Sequence, residues 1–211
     1  MAVWQKKLIE AIGVRESGNL DESRKLFDKL ISEVGVGDEP YPQVVTEYVI
    51  QLRLEAKELQ RKALVLARGL ENDYPGKVGS TRSVADVLSD LGEHEQTVER
   101  FRTLLHRYSH NSLRKGEIKA HLAKALLRSS KLDEAVQTII GSVDYIRKNT
   151  AHEGYVAVRE SYALRVAALI ALARGDKDNA RRLAQEALVV AREGRAVFRI
   201  REAEELLAML G

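Results

Sequence analysis

The chain has 211 residues, 45% of them hydrophobic and 31% charged, with a net charge of +3 and no cysteine. That supply of apolar side chains is enough for a folded core, and the missing thiols exclude disulfides, thiolate catalysis and Cys-ligated metal. The slight positive balance does not by itself select a nucleic acid, and no apolar run approaches the roughly 20 residues of a membrane span.

The opening MAVWQKKLIEAIGVRESG meets Glu10 before any long apolar stretch, so it reads as helix rather than secretory leader, and a cytoplasmic setting is expected. Trp4 is read as packing of this first helix. From residue 16 the chain reads ESGNLDESRKLFDKLI, a helix end, a turn and a second helix. VGVGDEPYP follows as a loop, with two of the three prolines, Pro40 and Pro42. Residues 41–75 carry Ala63, Ala67 and Leu70 but no glycine at the turn position, read at Glu58 in AKELQRKALVLA, so this stretch is a helix pair or one long helix. Pro75 and PGKVGS close it. DLGEHEQTVERFRTLL at 90–105, RSSKLDEAVQTII at 128–140 and LARGDKDNARRLAQEAL at 172–188 then restate the pattern of 16–31. The last stretch, VFRIREAEELLAML, has apolar Val197, Ile200, Leu206, Leu207 and Leu210 beside Arg199, Glu202 and Glu205, as a capping helix with one side in water would.

The repetition has a register. Ala11, Ala85, Ala123 and Ala168 are each followed twelve positions later by Ser23, Thr97, Ala135 and Ala180. Gly18, Gly92, Ser130 and Gly175 stand between, where a left-handed residue ends the first helix. Asp21, Glu95, Asp133 and Asp178 stand at the start of the second helix, to cap its free N–H groups and favour its dipole. Phe27, Phe101, Ile139 and Ala184 lie one turn further on. Small residues facing each other let two antiparallel helices cross closely, and one such pair buries its apolar sides only against neighbouring pairs. The reading is all-α.

This pattern resembles the tetratricopeptide-repeat family over roughly residues 3–193. The resemblance implies a right-handed α-solenoid of stacked antiparallel helix pairs with a C-terminal capping helix. Its repeats would be about 3–35, 41–75, 80–110, 113–149 and 154–193, with the cap at 196–210, in a single domain. The turn-to-turn intervals exceed the family's usual 34 residues. Gly18 to Gly92 is 74, Gly92 to Ser130 is 38 and Ser130 to Gly175 is 45, which points to the long-helix variants found in regulators and kinesin light chains.

In that family the first helix of each pair lines a concave groove that binds protein. The register projects Tyr48, Arg82, Lys124, Leu127, Arg128, Tyr162, Arg165 and Leu169 toward it, with Leu8, Ile12, Leu52, Asp86, Ser89 and Ala120 alongside. The implied function is a protein- or peptide-binding scaffold, with an acidic partner segment as the chemistry that Arg82, Lys124, Arg128 and Arg165 would take. Leu8 and Ile12 stand where carboxylate-gripping chaperone adaptors carry polar side chains, which argues against that role. The alternative is nucleic-acid association, or a place in a larger assembly. Arg100, Arg102, Arg107, Arg114, Lys115, Lys119, Lys124, Arg128 and Lys131 meet only Glu117 between positions 100 and 131, but the run wraps around its helices instead of forming one face.

No catalytic residue, cofactor site or metal site is assigned. His106 and His110 have the helical spacing of a two-His metal site, without a third ligand nearby. YPGKVGST lacks the upstream glycine and the strand of a phosphate loop. The carboxylates lie at ordinary surface spacing on amphipathic helices, with nothing to drive their pKa values apart.

Overall fold

The computed structural model describes residues 2–53, 57–148 and 153–211. The described residues outside turns and loops are all helical: α1 Val3–Glu16, α2 Leu20–Glu33, α3 Tyr41–Arg53, α4 Lys57–Asp73, α5 Val78–Asp90, α6 His94–Arg107, α7 Ser112–Arg128, α8 Leu132–Ile139, α9 Ser142–Arg147, α10 Glu153–Ala173, α11 Lys177–Glu193 and α12 Val197–Leu210. None is long and apolar enough to cross a membrane. The chain forms two compact units, Met1–Arg100 and Phe101–Gly211.

Consecutive helices pair, and the small residues mark where they cross. Ala11 and Ser23, Ala85 and Thr97, Ala123 and Ala135, and Ala168 and Ala180 are all fully buried. At two crossings a hydroxyl fills the gap: Ser23 Oγ donates to the Ala11 carbonyl at 2.8 Å, and Thr97 Oγ1 to the Ala85 carbonyl at 3.3 Å.

The turns share one construction. Gly18, Gly92, Ser130 and Gly175 have φ of 88°, 89°, 60° and 82°. In each, the left-handed residue donates to the carbonyl three positions back, and the next residue to the carbonyl five back: Gly18 to Arg15 and Asn19 to Val14, for example, or Ser130 to Leu127 and Lys131 to Leu126. This is the Schellman arrangement, which satisfies carbonyls that the helix end leaves free. Arg195, with φ of 53°, ends α11 in the same way, donating to Arg192 while Ala196 donates to Ala191.

Side-chain capping falls on different residues from those the register suggested. Asn19, Asn111 and Asp176 accept from the N–H groups of Glu22, Arg114 and Asn179. Asp21, Glu95, Asp133 and Asp178 lie inside the first turn, where they favour the dipole but do not occupy the N-cap position. The second repeat is a helix pair, and Glu58 lies within α4.

In the first unit α1, α3 and α5 pack in succession, with α2 and α4 between them in the chain. Their core holds Leu8, Phe27, Leu30, Val44, Tyr48, Leu52, Ala63, Ala67, Leu70 and Leu88. Phe27 is fully buried, a contribution of about 1.5–3 kcal/mol relative to leaving it in water. Trp4 packs against this core. In the second unit α10 packs on α7, α8, α9, α11 and α12. Its core runs through Ala168, Ala180, Ala184, Leu206 and Leu210, with Leu164, Ala187 and Ala203 beside them. The long interval between Ser130 and Gly175 contains α9, which packs on both α7 and α10.

Candidate functional site

In both units the first helices of successive pairs are joined by guanidinium–carboxylate bridges. In the first unit Arg15 of α1 is buried and donates to the Glu47 carboxylate of α3 at 2.9 Å and to its backbone carbonyl at 3.1 Å. Arg53 of α3 reaches Asp86 and Asp90 of α5 at 3.1 and 2.8 Å. Arg82 lies 3.9 Å from Asp86 and is thereby part of that network. Tyr48 belongs to the core: its ring stacks on Phe27 at 5.8 Å between centroids, and its hydroxyl meets Asp28 and Lys62. Leu8 and Leu52 are buried as well. A cavity of about 420 Å³ elsewhere in this unit is lined by Val3, Trp4, Leu30, Val34 and Pro40 with Glu33, Asp38 and Glu39.

In the second unit Lys124 of α7, Tyr162 and Arg165 of α10 and Arg199 and Glu202 of α12 lie near one another. The ring of His121 lies between Phe101 and Tyr162, with centroids 5.3 and 4.6 Å away, and its Nδ1 is 3.3 Å from the Tyr162 hydroxyl. Lys124 Nζ stands 5.8 Å from the centre of the Tyr162 ring, and the Arg199 guanidinium 4.7 Å from it. These are cation–π contacts. Arg199 donates to Glu202, one helical turn on, and Arg165 Nη1 lies 3.5 Å from Glu202 Oε1. Arg199, Arg165 and Lys124 thus all act on one carboxylate.

Glu202 registers that field. Burial pushes its carboxyl up, but Arg199, Arg165 and Lys124 outweigh burial and hold it below the ordinary glutamate value. A turn earlier on α7 than His121, Glu117 is buried and bridges Arg114 and Arg159 at 2.9 and 3.1 Å. Leu127 and Leu169 are half-buried and Arg128 is exposed.

The structure places Lys124, Tyr162 and Arg165, all named from the sequence, near one another. His121, Arg199 and Glu202, which the sequence did not single out as site residues, meet them through helix packing. The two histidines of the metal reading part company: α6 ends at Arg107, so His106 is helical and His110 lies in the turn beyond. Among the described residues no group of three potential metal ligands gathers.

No protein-family model and no curated protein sequence matches the chain. Solved structures do match in fold. A thermophilic TPR protein from Thermus thermophilus is 16% identical, with a TM-score of 0.66 over 97% of this chain and 100% of its own. The nearly identical TPR-like repeats assigned to a kinesin light chain of Podosopora anserina are 14% identical, with TM-scores of 0.60 and 0.61 in two structures, over 90% of this chain and 95% of theirs. PilF of Pseudomonas aeruginosa is 12% identical, with a TM-score of 0.57 over 98% and 88%. Helix pairs crossing at small residues, turns closed at a left-handed position and these likenesses together give the chain the tetratricopeptide-repeat fold.

Proposed function

We propose that this chain is a non-enzymatic, cytoplasmic protein-binding scaffold whose α7–α10–α12 face takes a carboxylate-bearing segment of another protein. The observation that carries the reading is Glu202. A carboxylate on this face is held by Arg165 and Arg199 within reach of Lys124, and its proton affinity is depressed despite burial. A partner carboxylate entering the same field would compete with Glu202 for these donors, and the half-buried Leu127 and Leu169 would add apolar contact. The repeat fold, a scaffold commonly used for protein interaction, supports the reading in general terms.

The nucleic-acid alternative draws less support. Arg100 is bound to Glu71, Arg102 to Glu134 and Arg114 to Glu117, so most of the arginines counted in the basic run already have carboxylate partners.

A display library of unstructured peptides, sorted on the immobilised chain, tests the proposal. Acidic peptides should be enriched. Their binding should weaken in Arg128→Glu and in Lys124→Glu, and should weaken as salt rises, since exposed charges are screened beyond about 8 Å at physiological ionic strength. Enrichment of neutral or basic peptides, or acidic binding that ignores both substitutions and salt, would overturn it.

A further inference from the structure

Arg15, Arg53, Arg100, Arg114, Arg147 and Arg165 each face a carboxylate. Among the described residues Lys115, Lys119 and Lys148 do not. They gather instead around the phenol ring of Tyr145, with their Nζ atoms 4.6, 5.6 and 6.0 Å from its centre. Among the described residues no carboxylate lies within ion-pair distance of any of the three.

The cluster is built by a close approach. α9 lies on α7 at Gly116, where Ser142 Oγ donates to the Gly116 carbonyl at 2.7 Å. A Cβ at position 116 would stand 2.6 Å from the Ser142 carbonyl oxygen, 2.8 Å from Ile146 Cγ1 and 3.0 Å from Tyr145 Cβ. Only glycine lets the backbones come so near. The contact lays Tyr145 against α7 with Lys115 just before Gly116 and Lys119 a turn after it, while Lys148 follows the end of α9. Lys119 also donates to the Ile140 carbonyl, which fixes its stem.

The neighbouring groups feel the crowding. The hydrogen bond and the charge of Lys115, with Lys119 and Lys148 adding to them, hold the Tyr145 hydroxyl below the ordinary tyrosine value. Burial pushes the Lys119 ammonium down; the charge of Lys115 adds to this and Tyr145 opposes it. An anion among the three ammoniums would relieve this repulsion.

We propose that Lys115, Lys119, Lys148 and the Tyr145 hydroxyl form a site for a phosphate monoester. The charge count selects the class. A monoester carries about −1.5 to −2 charges at neutral pH, and its three oxygens accept from several donors at once. A carboxylate or a phosphodiester brings one charge to three ammoniums. Lysine binds phosphate as a point charge, and the hydroxyl supplies a directional donor. At 3.6 residues per turn, Lys115 and Lys119 lie on the opposite side of α7 from Lys124 and Arg128, so the site is separate from the carboxylate-binding face and neither proposal depends on the other.

The test is a titration of the full chain, followed by NMR at the tyrosine ring and lysine side-chain resonances. The probes are inorganic phosphate, O-phosphoserine and a single-stranded oligothymidylate. Saturable shifts should appear at Tyr145 and Lys119 at about millimolar phosphate or O-phosphoserine. The double substitution Lys119→Gln with Lys148→Gln should weaken them about tenfold or more, while Arg128→Glu leaves them in place. Response to O-phosphoserine alone would identify a phosphorylated side chain as the ligand, and response to inorganic phosphate as well a free phosphate-bearing molecule; either upholds the site. No saturable shift, a shift unchanged in the double variant, or a response to the oligonucleotide alone would overturn it.

Discussion

Ser23 and Ala11 stand twelve residues apart on antiparallel helices, and the serine hydroxyl donates to the alanine carbonyl at 2.8 Å with both residues fully buried. Gln51 Oε1 is 2.8 Å from the same hydroxyl, so a single side chain ties α1, α2 and α3 together. Replacing Ser23 with alanine keeps the crossing close but withdraws that donor. The cost should be about 1–3 kcal/mol, because buried acceptors lose a partner that water cannot replace. Urea unfolding followed by circular dichroism measures it, and an unchanged midpoint would show that the hydroxyl is only a space filler.

Two turns carry a side chain where the backbone is left-handed. Ser130 and Arg195 have φ of 60° and 53°, a region in which a Cβ is crowded by the carbonyl oxygen that follows it. Ser130→Gly and Arg195→Gly should each stabilise the chain, by about 0.5–1 kcal/mol once the greater freedom of unfolded glycine is deducted. The two sites share no partner, so the effects should add. Differential scanning calorimetry of the single and double variants checks both sign and additivity.

At the last crossing Ala168 and Ala180 are fully buried. Ala180→Leu inserts three carbons between α10 and α11, where neither helix can retreat without opening the core around Leu206 and Leu210. A loss of about 1–3 kcal/mol should follow. A variant melting at the wild-type temperature would mean that the crossing has room to spare.

The depressed Glu202 carboxyl links stability to pH. The unfolded chain takes up this proton at the ordinary glutamate value, and the folded chain only at lower pH. Between those values the unfolded state binds more protons, so acidification favours it. The contribution of Glu202 is therefore complete above the ordinary value and lost as pH falls through the folded one. Glu202→Gln should destabilise near neutral pH and decline less steeply in acid, so that the two urea midpoints converge. A constant offset from neutral pH down through the acid range would contradict this.

The crossings and turns were legible because they depend on small sets of residues at fixed spacing. Ala168, Gly175 and Ala180 can be read without knowing what lies beside them. Arg195 could not: the glycine at this turn, Gly194, keeps an ordinary φ of −78°, and the left-handed residue is the arginine after it. Nor could α9, whose six residues are too few to show a helical period. Glu58 is helical, because nothing at that position compels a turn. On the candidate face, Lys124, Tyr162 and Arg165 follow from register, but Arg199 and Glu202 join them from 34 or more residues away, through the packing of α12 on α10. Tyr48 is buried because its ring packs back onto Phe27, a contact that helical spacing alone does not specify.

Closing five turns with the same two backbone hydrogen bonds has a consequence for how this fold is written. The bonds belong to peptide groups, so most side chains around a turn are free to vary beyond its left-handed residue. Structures that agree with this one over nine-tenths of its length at 12–16% identity are what such sparse specification permits. Exposed positions outside the core and the turns carry little folding information, which leaves them open to change without loss of the fold.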